Sequence, residues 1–230
     1  MSARLSPPTR RAFLHTSAAA FGFQFVPAHV VRAQSGSRAP SEKIRIAVIG
    51  CGGRGAVDLQ GVSGEEIVAL CDVDDIRAAK SFEEHPKAKR FKDFRQMFDK
   101  MGNEIDAVVV ATPDHTHAAA CLPAIDLGKH VYCEKPLAHT VKEVRRLRKA
   151  ALEKKVITQV GNQGHSSHTI RLFVEMVQAG AIGNISEIHA GCDAFRDVYC
   201  RIGKPASPPT EVPKNLDWDL WLGPLKAHAY

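Results

Sequence analysis

The stretch IRIAVIGCGGRG, residues 44–55, constrains the fold more than any other part of this 230-residue chain. Its apolar, β-branched run predicts a buried strand, and Gly50, Gly52 and Gly55 follow in G-x-G-x-x-G order where a helix begins. Asp72 ends the next apolar run. A strand, a glycine turn, a helix and a carboxylate after the second strand together predict a dinucleotide-binding βαβ unit, whereas glycines alone would fit an ordinary strand–helix turn.

Each glycine in this turn has a physical task. Gly50 permits the tight turn, Gly52 leaves room for an approaching pyrophosphate, and Gly55 allows the helix to pack closely on the strand. The free N–H groups and the dipole at the helix start attract the phosphates. The predicted cofactor-binding residues of the turn are Gly50, Gly52, Gly53, Arg54 and Gly55.

The carboxylate of Asp72 indicates which cofactor is bound. It would accept hydrogen bonds from the hydroxyl groups of the adenosine ribose and would repel a 2′-phosphate. Asp74 and Asp75 add negative charge nearby, and the first basic residue is Arg77. The sequence therefore favours NAD over NADP.

Short β-rich runs alternate with helical runs as far as Gln163. This alternation predicts an α/β Rossmann fold, a doubly wound parallel sheet with helices on both faces. Thr140 and Glu143 form a capping-box pattern that opens one of the helices. The predicted strands lie at 44–50, 65–72, within 90–98, and at 106–112, 130–135 and 156–163, and the predicted helices include 74–85 and 115–127.

The pattern changes beyond Gln163. A helix is predicted over 168–179, then one long strand over 183–195, a proline-rich loop, and the segment LDWDLWLGP at 216–224. We expect residues 43–163 to form an NAD-binding Rossmann domain. Residues 164–230 are expected to be the incomplete start of an α+β substrate and oligomerisation domain.

The first 33 residues are expected to be a twin-arginine signal peptide, followed by a linker over 34–42. Arg10 and Arg11 precede an apolar run that ends near Ala33, the expected cleavage point, with Ala28 as the alternative. The run is too short and too polar for a stable membrane anchor. The sequence thus predicts a twin-arginine translocase partner and a periplasmic or extracellular location, unless the segment is an uncleaved tail.

The net charge of +6 does not indicate a nucleic-acid partner. The first 40 residues hold five arginines and no Lys, Asp or Glu, which leaves 26 basic against 25 acidic residues in the rest of the chain. The six cysteines show no C-x-x-C pair. Most lie in apolar runs and are expected to be buried thiols.

Two polar clusters lie at the ends of later strands, TPDHTH at 112–117 and CEKPL at 133–137. Either cluster alone could be a capped loop. Together, after the glycine turn, they resemble the glucose–fructose oxidoreductase and inositol dehydrogenase family (Gfo/Idh/MocA). The resemblance covers residues 43 to about 225 and rests on GCGGRG, LCDVD, ATPDHTHA, GKHVYCEKPLA, QVGNQ and LDWDLWLGP.

The resemblance implies roles for the residues at these strand ends. Lys135 would contact the substrate hydroxyl near the nicotinamide and act as the catalytic residue. Its ammonium group can polarise an oxygen as hydride leaves the neighbouring carbon. Glu134 and Pro136 complete the E-K-P motif and are expected to bind cofactor, with the proline shaping the turn.

The loop after the fourth strand is implied to pack near the cofactor through Thr112, Pro113 and His117, although His117 could instead cap a helix or lie on the surface. Asn162 and Gln163 could reach the nicotinamide or substrate, or simply form a turn. No metal is expected, because the family needs none and Asp114, His115 and His117 lack a fourth ligand.

The implied function is hydride transfer between a nicotinamide and a hydroxyl-bearing carbon of a sugar or cyclitol. An NAD-dependent glycosidase of the same superfamily and a catalytically inert dinucleotide-binding module are the alternatives. Family members continue beyond the equivalent of Tyr230 into a sheet that supplies the usual histidine base and the oligomer contacts. The chain is therefore expected to be C-terminally truncated, and the longer form is expected to be a homo-oligomer.

Overall fold

The computed structural model describes residues 43–191 and 208–230. Its six strands are all parallel and form one sheet in the order β3-β2-β1-β4-β5-β6, which confirms the predicted doubly wound arrangement. The strands are β1 Arg45–Ile49, β2 Glu66–Cys71, β3 Lys89–Phe91, β4 Ala107–Val110, β5 His130–Glu134 and β6 Thr158–Gly161. The α-helices are α1 Arg54–Gly61, α2 Asp75–Glu84, α3 Phe94–Met101, α4 His117–Asp126, α5 Val141–Lys154, α6 His168–Gln178 and α7 Trp218–Leu222.

Apolar side chains bury both faces of the sheet. Along β1, Ala47 and Ile49 face one cluster while Ile46 and Val48 face the other, because successive side chains of a strand point to opposite sides. Helices α3, α4 and α5 cover the first cluster, and α1 and α2 cover the second. Strands β1 and β4 therefore lie at the centre of the sheet, between two buried apolar layers.

Local side-chain hydrogen bonds begin several helices. Thr140 and Glu143 form the predicted capping box at the start of α5, which is confirmed. Asp74 caps α2 by accepting from the N–H groups of Ile76 and Arg77. The predicted helix at 115–127 begins at His117 instead, because residues 114–116 form a 3-10 turn directly after Pro113.

The segment after residue 208 packs against the end of β2. Asp217 N–H donates to the carbonyl of Val73, and Asp75 N–H donates to the carbonyl of Asn215. The Asn215 side chain also donates to the Asp74 carboxylate over 2.7 Å. This docking places α7 next to the loop that carries Asp72.

The predicted long strand at 183–195 is wrong where it can be assessed, because residues 183–191 have no strand structure. An alternating pattern indicates which face would be buried, but a strand also needs a hydrogen-bonded neighbour. Residues 192–195 lie outside the described residues, as do Cys192, Cys200, the predicted signal peptide and the linker. The four cysteines in the described part of the chain are confirmed as buried free cysteines: Cys51, Cys71, Cys121 and Cys133.

Within the described residues, no helix is long and apolar enough to cross a membrane.

Candidate functional site

The site forms at the point in the sheet where the order of strand addition reverses, between β1 and β4. Strand β1 lies between β2 and β4, so the connections after β1 and β4 leave in opposite directions and open a crevice at their carboxyl ends. The Gly50 N–H donates to the carbonyl of Cys71, and the Ala111 N–H donates to the carbonyl of Ile49. These bonds fix both loops at the crevice.

Gly50 and Gly55 have no room for a side chain. Gly50 has φ +78°, and a Cβ there would lie 2.8 Å from backbone atoms of Ala111 and Thr112. A Cβ on Gly55 would collide with the carbonyl oxygen of Gly50. The glycines thus allow the turn to lie directly against the end of β4.

Gly52 and Gly53 lie beside Arg77 of α2. A Cβ on Gly52 would lie 2.7 Å from the carbonyl oxygen of Arg77, so the backbone of α2 approaches this glycine. The guanidinium of Arg77 lies beside Gly53, with Nη2 3.2 Å from the position of a Cβ there. This cation lies where the N-terminus of α1 also favours negative charge.

Asp72 lies against the glycine turn, at the end of β2. Its carboxylate accepts from the N–H of Gly52 at 2.9 Å and from the N–H of Asp74 at 3.0 Å. Burial raises the pKa of Asp72, while these two N–H groups oppose the rise by stabilising the ionised form. These bonds hold the carboxylate at the glycine turn, and its contact with a ribose stays a prediction.

The crevice fits a dinucleotide on two further observations. The hydroxyl oxygen of Thr112 is buried and has no hydrogen-bond partner among the described residues, as expected of a group that bonds to a ligand. The N-cap of α1 is Gly53, which has no side chain, so no capping side chain occupies the start of this helix. Residues of the turn, Asp72 and Thr112 would hold the cofactor here.

Glu134, the first residue of the E-K-P motif, is joined to the glycine turn. Arg54 Nε donates to it over 3.1 Å, and the amide of Gln163 donates to the same oxygen. Burial acts to raise the pKa of Glu134, but the donors Gln163, Arg54 and the Lys135 N–H outweigh it and hold the pKa below its usual value. Glu134 therefore stays ionised and connects the ends of β1 and β5.

Two residues of this network were missed by the sequence prediction. Asp58 forms a 2.9 Å ion pair with Arg54, and Tyr132 Oη accepts from Gln163 over 2.6 Å. Burial, followed by the charge of Glu134, raises the pKa of Asp58. The spacing of Arg54 and Asp58, four residues apart on one helix, was the available signal.

Lys135 is exposed at the carboxyl end of β5, and the Lys135–Pro136 peptide bond is cis. Its N–H donates to the Glu134 carboxylate, which ties the lysine backbone to the network described above. Asn162 is exposed after β6, while Gln163 points to Glu134. The structure thus joins Gln163 to the strand end that carries Lys135.

The loop after β4 divides into exposed and buried parts. Pro113 is exposed, and its carbonyl accepts from Thr116. His117 is 1% exposed, with both ring nitrogens at backbone carbonyls, so surface placement is wrong for this side chain, and its expected place near the cofactor stays a prediction. Among the described residues, no three His, Cys, Asp or Glu side chains form a group that could hold a metal ion.

The contacts of the segment 215–221 with the loops after β2 and β4 were also missed. His115 Nε2 lies 2.9 Å from the carbonyl of Trp221, and the two rings are in contact at 4.9 Å. Together with the contacts of Asn215, this places the segment 215–221 beside both the Asp72 loop and the loop after β4. Contacts this distant in sequence leave no local pattern.

Comparison with known proteins agrees with this geometry. Residues 44–162 match the oxidoreductase family with an NAD-binding Rossmann fold, Gfo/Idh/MocA. An inositol 2-dehydrogenase of Rubrobacter xylanophilus is 34% identical over 152 residues, which cover 64% of this chain and 43% of the relative. A levoglucosan dehydrogenase of Pseudarthrobacter phenanthrenivorans is 34% identical over 140 residues, 60% of this chain and 34% of the relative.

Solved structures show the same fold. The inositol dehydrogenase homologue of Azotobacter vinelandii, in complex with NADH and myo-inositol, has a TM-score of 0.53 and 28% identity and covers 63% of this chain and 41% of that one. The myo-inositol 2-dehydrogenase of Lactobacillus plantarum has a TM-score of 0.57 and 26% identity and covers 63% and 43%.

The chain spans less than half the length of these relatives. Its glycine turn, Asp72 and the E-K-P strand end nevertheless all fall within the matched residues 44–162. This chain belongs to the Gfo/Idh/MocA oxidoreductase family and carries that family's NAD-binding Rossmann fold.

Proposed function

We propose that the protein takes part in NAD-dependent hydride transfer to and from a hydroxyl-bearing carbon of a sugar or cyclitol. The contact that carries the proposal is the 3.1 Å ion pair between Arg54 and Glu134. It joins the turn that would hold the pyrophosphate to the strand end that presents Lys135. A ligand in the crevice would thereby have its reactive end next to a lysine.

Lys135 is the residue we propose to act on the substrate. An ammonium group beside a carbinol oxygen stabilises the negative charge that develops there as hydride departs, and a lysine can also take up or release a proton. The bound nicotinamide supplies the hydride acceptor. Glu134, held ionised by Arg54 and Gln163, keeps the backbone N–H of Lys135 in place.

The substrate class rests on the relatives. Those described above are named for inositol and for levoglucosan, both of which are polyhydroxylated rings. We propose a ring of the same kind for this protein. A hydroxyl-rich ring suits an open, polar strand end such as the one formed by Lys135 and Asn162.

Spectrophotometric turnover tests the proposal. The longer form expected from the family would be incubated with NAD and myo-inositol, levoglucosan or glucose, and NADH formation followed. We expect formation with at least one ring and its loss in Lys135→Ala, while Lys142→Ala, an exposed lysine on α5, serves as the matched control. Turnover that survives Lys135→Ala would contradict the proposed role, and an absence of NAD binding would contradict the proposal as a whole.

We also propose export by the twin-arginine pathway and a homo-oligomeric longer form. The support for export is the order of Arg10-Arg11, the apolar run and Ala33 in the sequence. An enzyme that binds NAD in the cytoplasm must fold before export, which this pathway allows. A folded reporter fused to residues 1–40 should leave the cytoplasm, and should stay there when both arginines are replaced by lysine. Retention of the unaltered fusion would contradict export.

A further inference from the structure

His117 lies between the loops that follow two neighbouring strands, β4 and β5. Its Nδ1 is 2.7 Å from the carbonyl oxygen of Pro136, and its Nε2 is 2.8 Å from the carbonyl oxygen of Thr112. Both are hydrogen-bond distances, and a carbonyl oxygen can accept but not donate. Each ring nitrogen must therefore carry a proton, and the imidazolium is the form of histidine with two N–H groups.

The neutral ring cannot satisfy this arrangement. Either tautomer has one N–H and one lone pair, so a lone pair would face a carbonyl oxygen at less than 3 Å in a site that is 1% exposed. Water cannot relieve the repulsion in such a place. The geometry of the two loops thus selects the cation.

A buried cation needs compensating interactions, and the carbonyl oxygens of Pro136 and Thr112 face its two N–H groups at 2.7 and 2.8 Å. The hydrogen bond from Cys121 on α4 and the His117 cation lower the pKa of Cys133 to about 6, although burial and the charge of Glu134 oppose this. Burial acts to lower the pKa of His117, but Cys133 and the two carbonyls raise it to about 9. The two loops contact the His117 ring through backbone carbonyls. The ionisable groups that affect the pKa values of His117 and Cys133, apart from these two residues themselves, are Cys121 and Glu134.

We propose that His117 is a positioning residue whose two N–H groups tie the backbone of Thr112 to the backbone of Pro136. The tie holds the loop with the unpartnered Thr112 hydroxyl against the turn that follows Lys135. It fixes the spacing between the part of the crevice that would bind cofactor and the proposed catalytic lysine. Its consequence for hydride transfer rests on the proposed function, whereas the protonation state does not.

Nuclear magnetic resonance of the full chain tests the proposal without substrate or cofactor. With nitrogen-15 in the histidine rings, we expect one histidine to keep both ring protons at about pH 8, where an ordinary histidine with pKa about 6.5 is neutral. Its titration midpoint should lie near 9. The amide signals of Asp114 and Lys135 should shift with that same midpoint, because the tie joins their loops.

Two variants assign the signal. His117→Gln should remove it, and His115→Gln should keep it, because the ring of His115 contacts a single carbonyl, that of Trp221. If the glutamine variant does not fold, the shared midpoint in the unaltered protein still decides. A neutral His117 at about pH 8, or amide signals that do not follow its titration, would overturn the proposal. A failure of NAD binding with this signal present would count against the proposed function alone.

Discussion

At the scale of single residues, the site depends on positions where one atom decides the outcome. Gly50 adopts φ +78° and lies against the backbone of Ala111 and Thr112, which follow β4. Neither its conformation nor its surroundings allow a Cβ. Asp72 matters through its side chain. Its carboxylate accepts from two backbone N–H groups and has further lone pairs that can accept from a ligand. Each residue makes a separate prediction.

Replacing Gly50 by alanine should disrupt the turn. The strained φ and the 2.8 Å contacts with Ala111 and Thr112 should cost about 1–3 kcal/mol of unfolding free energy and abolish NADH binding. Gly61→Ala is the matched control, because a Cβ there meets nothing within 4 Å. Urea denaturation and calorimetric titration measure both effects, and equal behaviour of the two variants would contradict the account.

Asp72→Asn should weaken NADH binding by about ten- to a hundredfold, the effect expected from loss of a charge-assisted hydrogen bond. NADPH binding should weaken less, because the substitution also removes the charge that repels a 2′-phosphate. Titration with each cofactor checks this change in ratio. An unchanged preference would show that Asp72 does not contact the ribose.

At the scale of secondary-structure elements, capping and docking hold the site in place. The capping box at Thr140 and Glu143 begins α5, which contributes Leu147 to the same buried cluster as Val131 and Cys133 of β5. The segment around Asn215 braces the loop after β2 through three hydrogen bonds to Val73, Asp74 and Asp75. The capping box is local in sequence, whereas the docking of the segment around Asn215 joins residues that are far apart in sequence.

Thr140→Ala should lower the free energy of unfolding by about 1 kcal/mol, since it removes the side-chain acceptor for the Glu143 N–H. The loss should be smaller for Thr140→Ser, which keeps the hydroxyl. Thermal unfolding followed by circular dichroism distinguishes them. Equal losses in both variants would mean that the hydroxyl is not the stabilising group.

Asn215→Ala should loosen the docked segment while leaving the sheet intact. The loss of the 2.7 Å bond to Asp74 should increase hydrogen exchange at the amides of Asp75 and Asp217, which lie in the same contact. Amides of β1 should exchange as before. Uniform acceleration across the chain would instead indicate a general loss of stability.

These elements also show how far the sequence predicts the structure. The parallel strands, the glycine turn and the capping box each have a local sequence pattern. All three were predicted from the residues that form them. The network around Gln163 and the role of His117 were not, because each joins residues from three separate elements. The strand predicted at 183–195 is absent over 183–191, because its alternating pattern indicates burial and not the presence of a pairing partner.

At the scale of the whole molecule, we expect the buried thiols to make stability depend on pH in the alkaline range. Burial raises the pKa of Cys51 to about 12 and also raises the pKa of Cys71. The pKa of Cys121 is raised first by its hydrogen bond to Cys133 and then by burial. A raised thiol pKa contributes stability that is complete below the unfolded value of 9.0 and is lost as pH rises through the folded value.

We therefore expect unfolding free energy to fall above about pH 9, by on the order of 1 kcal/mol per pH unit for each such thiol. Between about 6.5 and 9 the pair of His117 and Cys133 adds little slope, because the folded pair holds one proton on the ring and the unfolded pair holds one on sulfur. Denaturation in reductant at several pH values checks both regions. A stability that stays level well above pH 9 would contradict burial of the thiols.

The central claim is that the crevice between β1 and β4 binds a nicotinamide dinucleotide. Isothermal titration of the full chain with NADH tests it most directly, with Gly50→Ala as the binding-deficient control. We predict saturable heat at one site per chain for the unaltered protein and none for the variant. The absence of any heat with a folded, unaltered protein, for both NADH and NAD, would contradict the account.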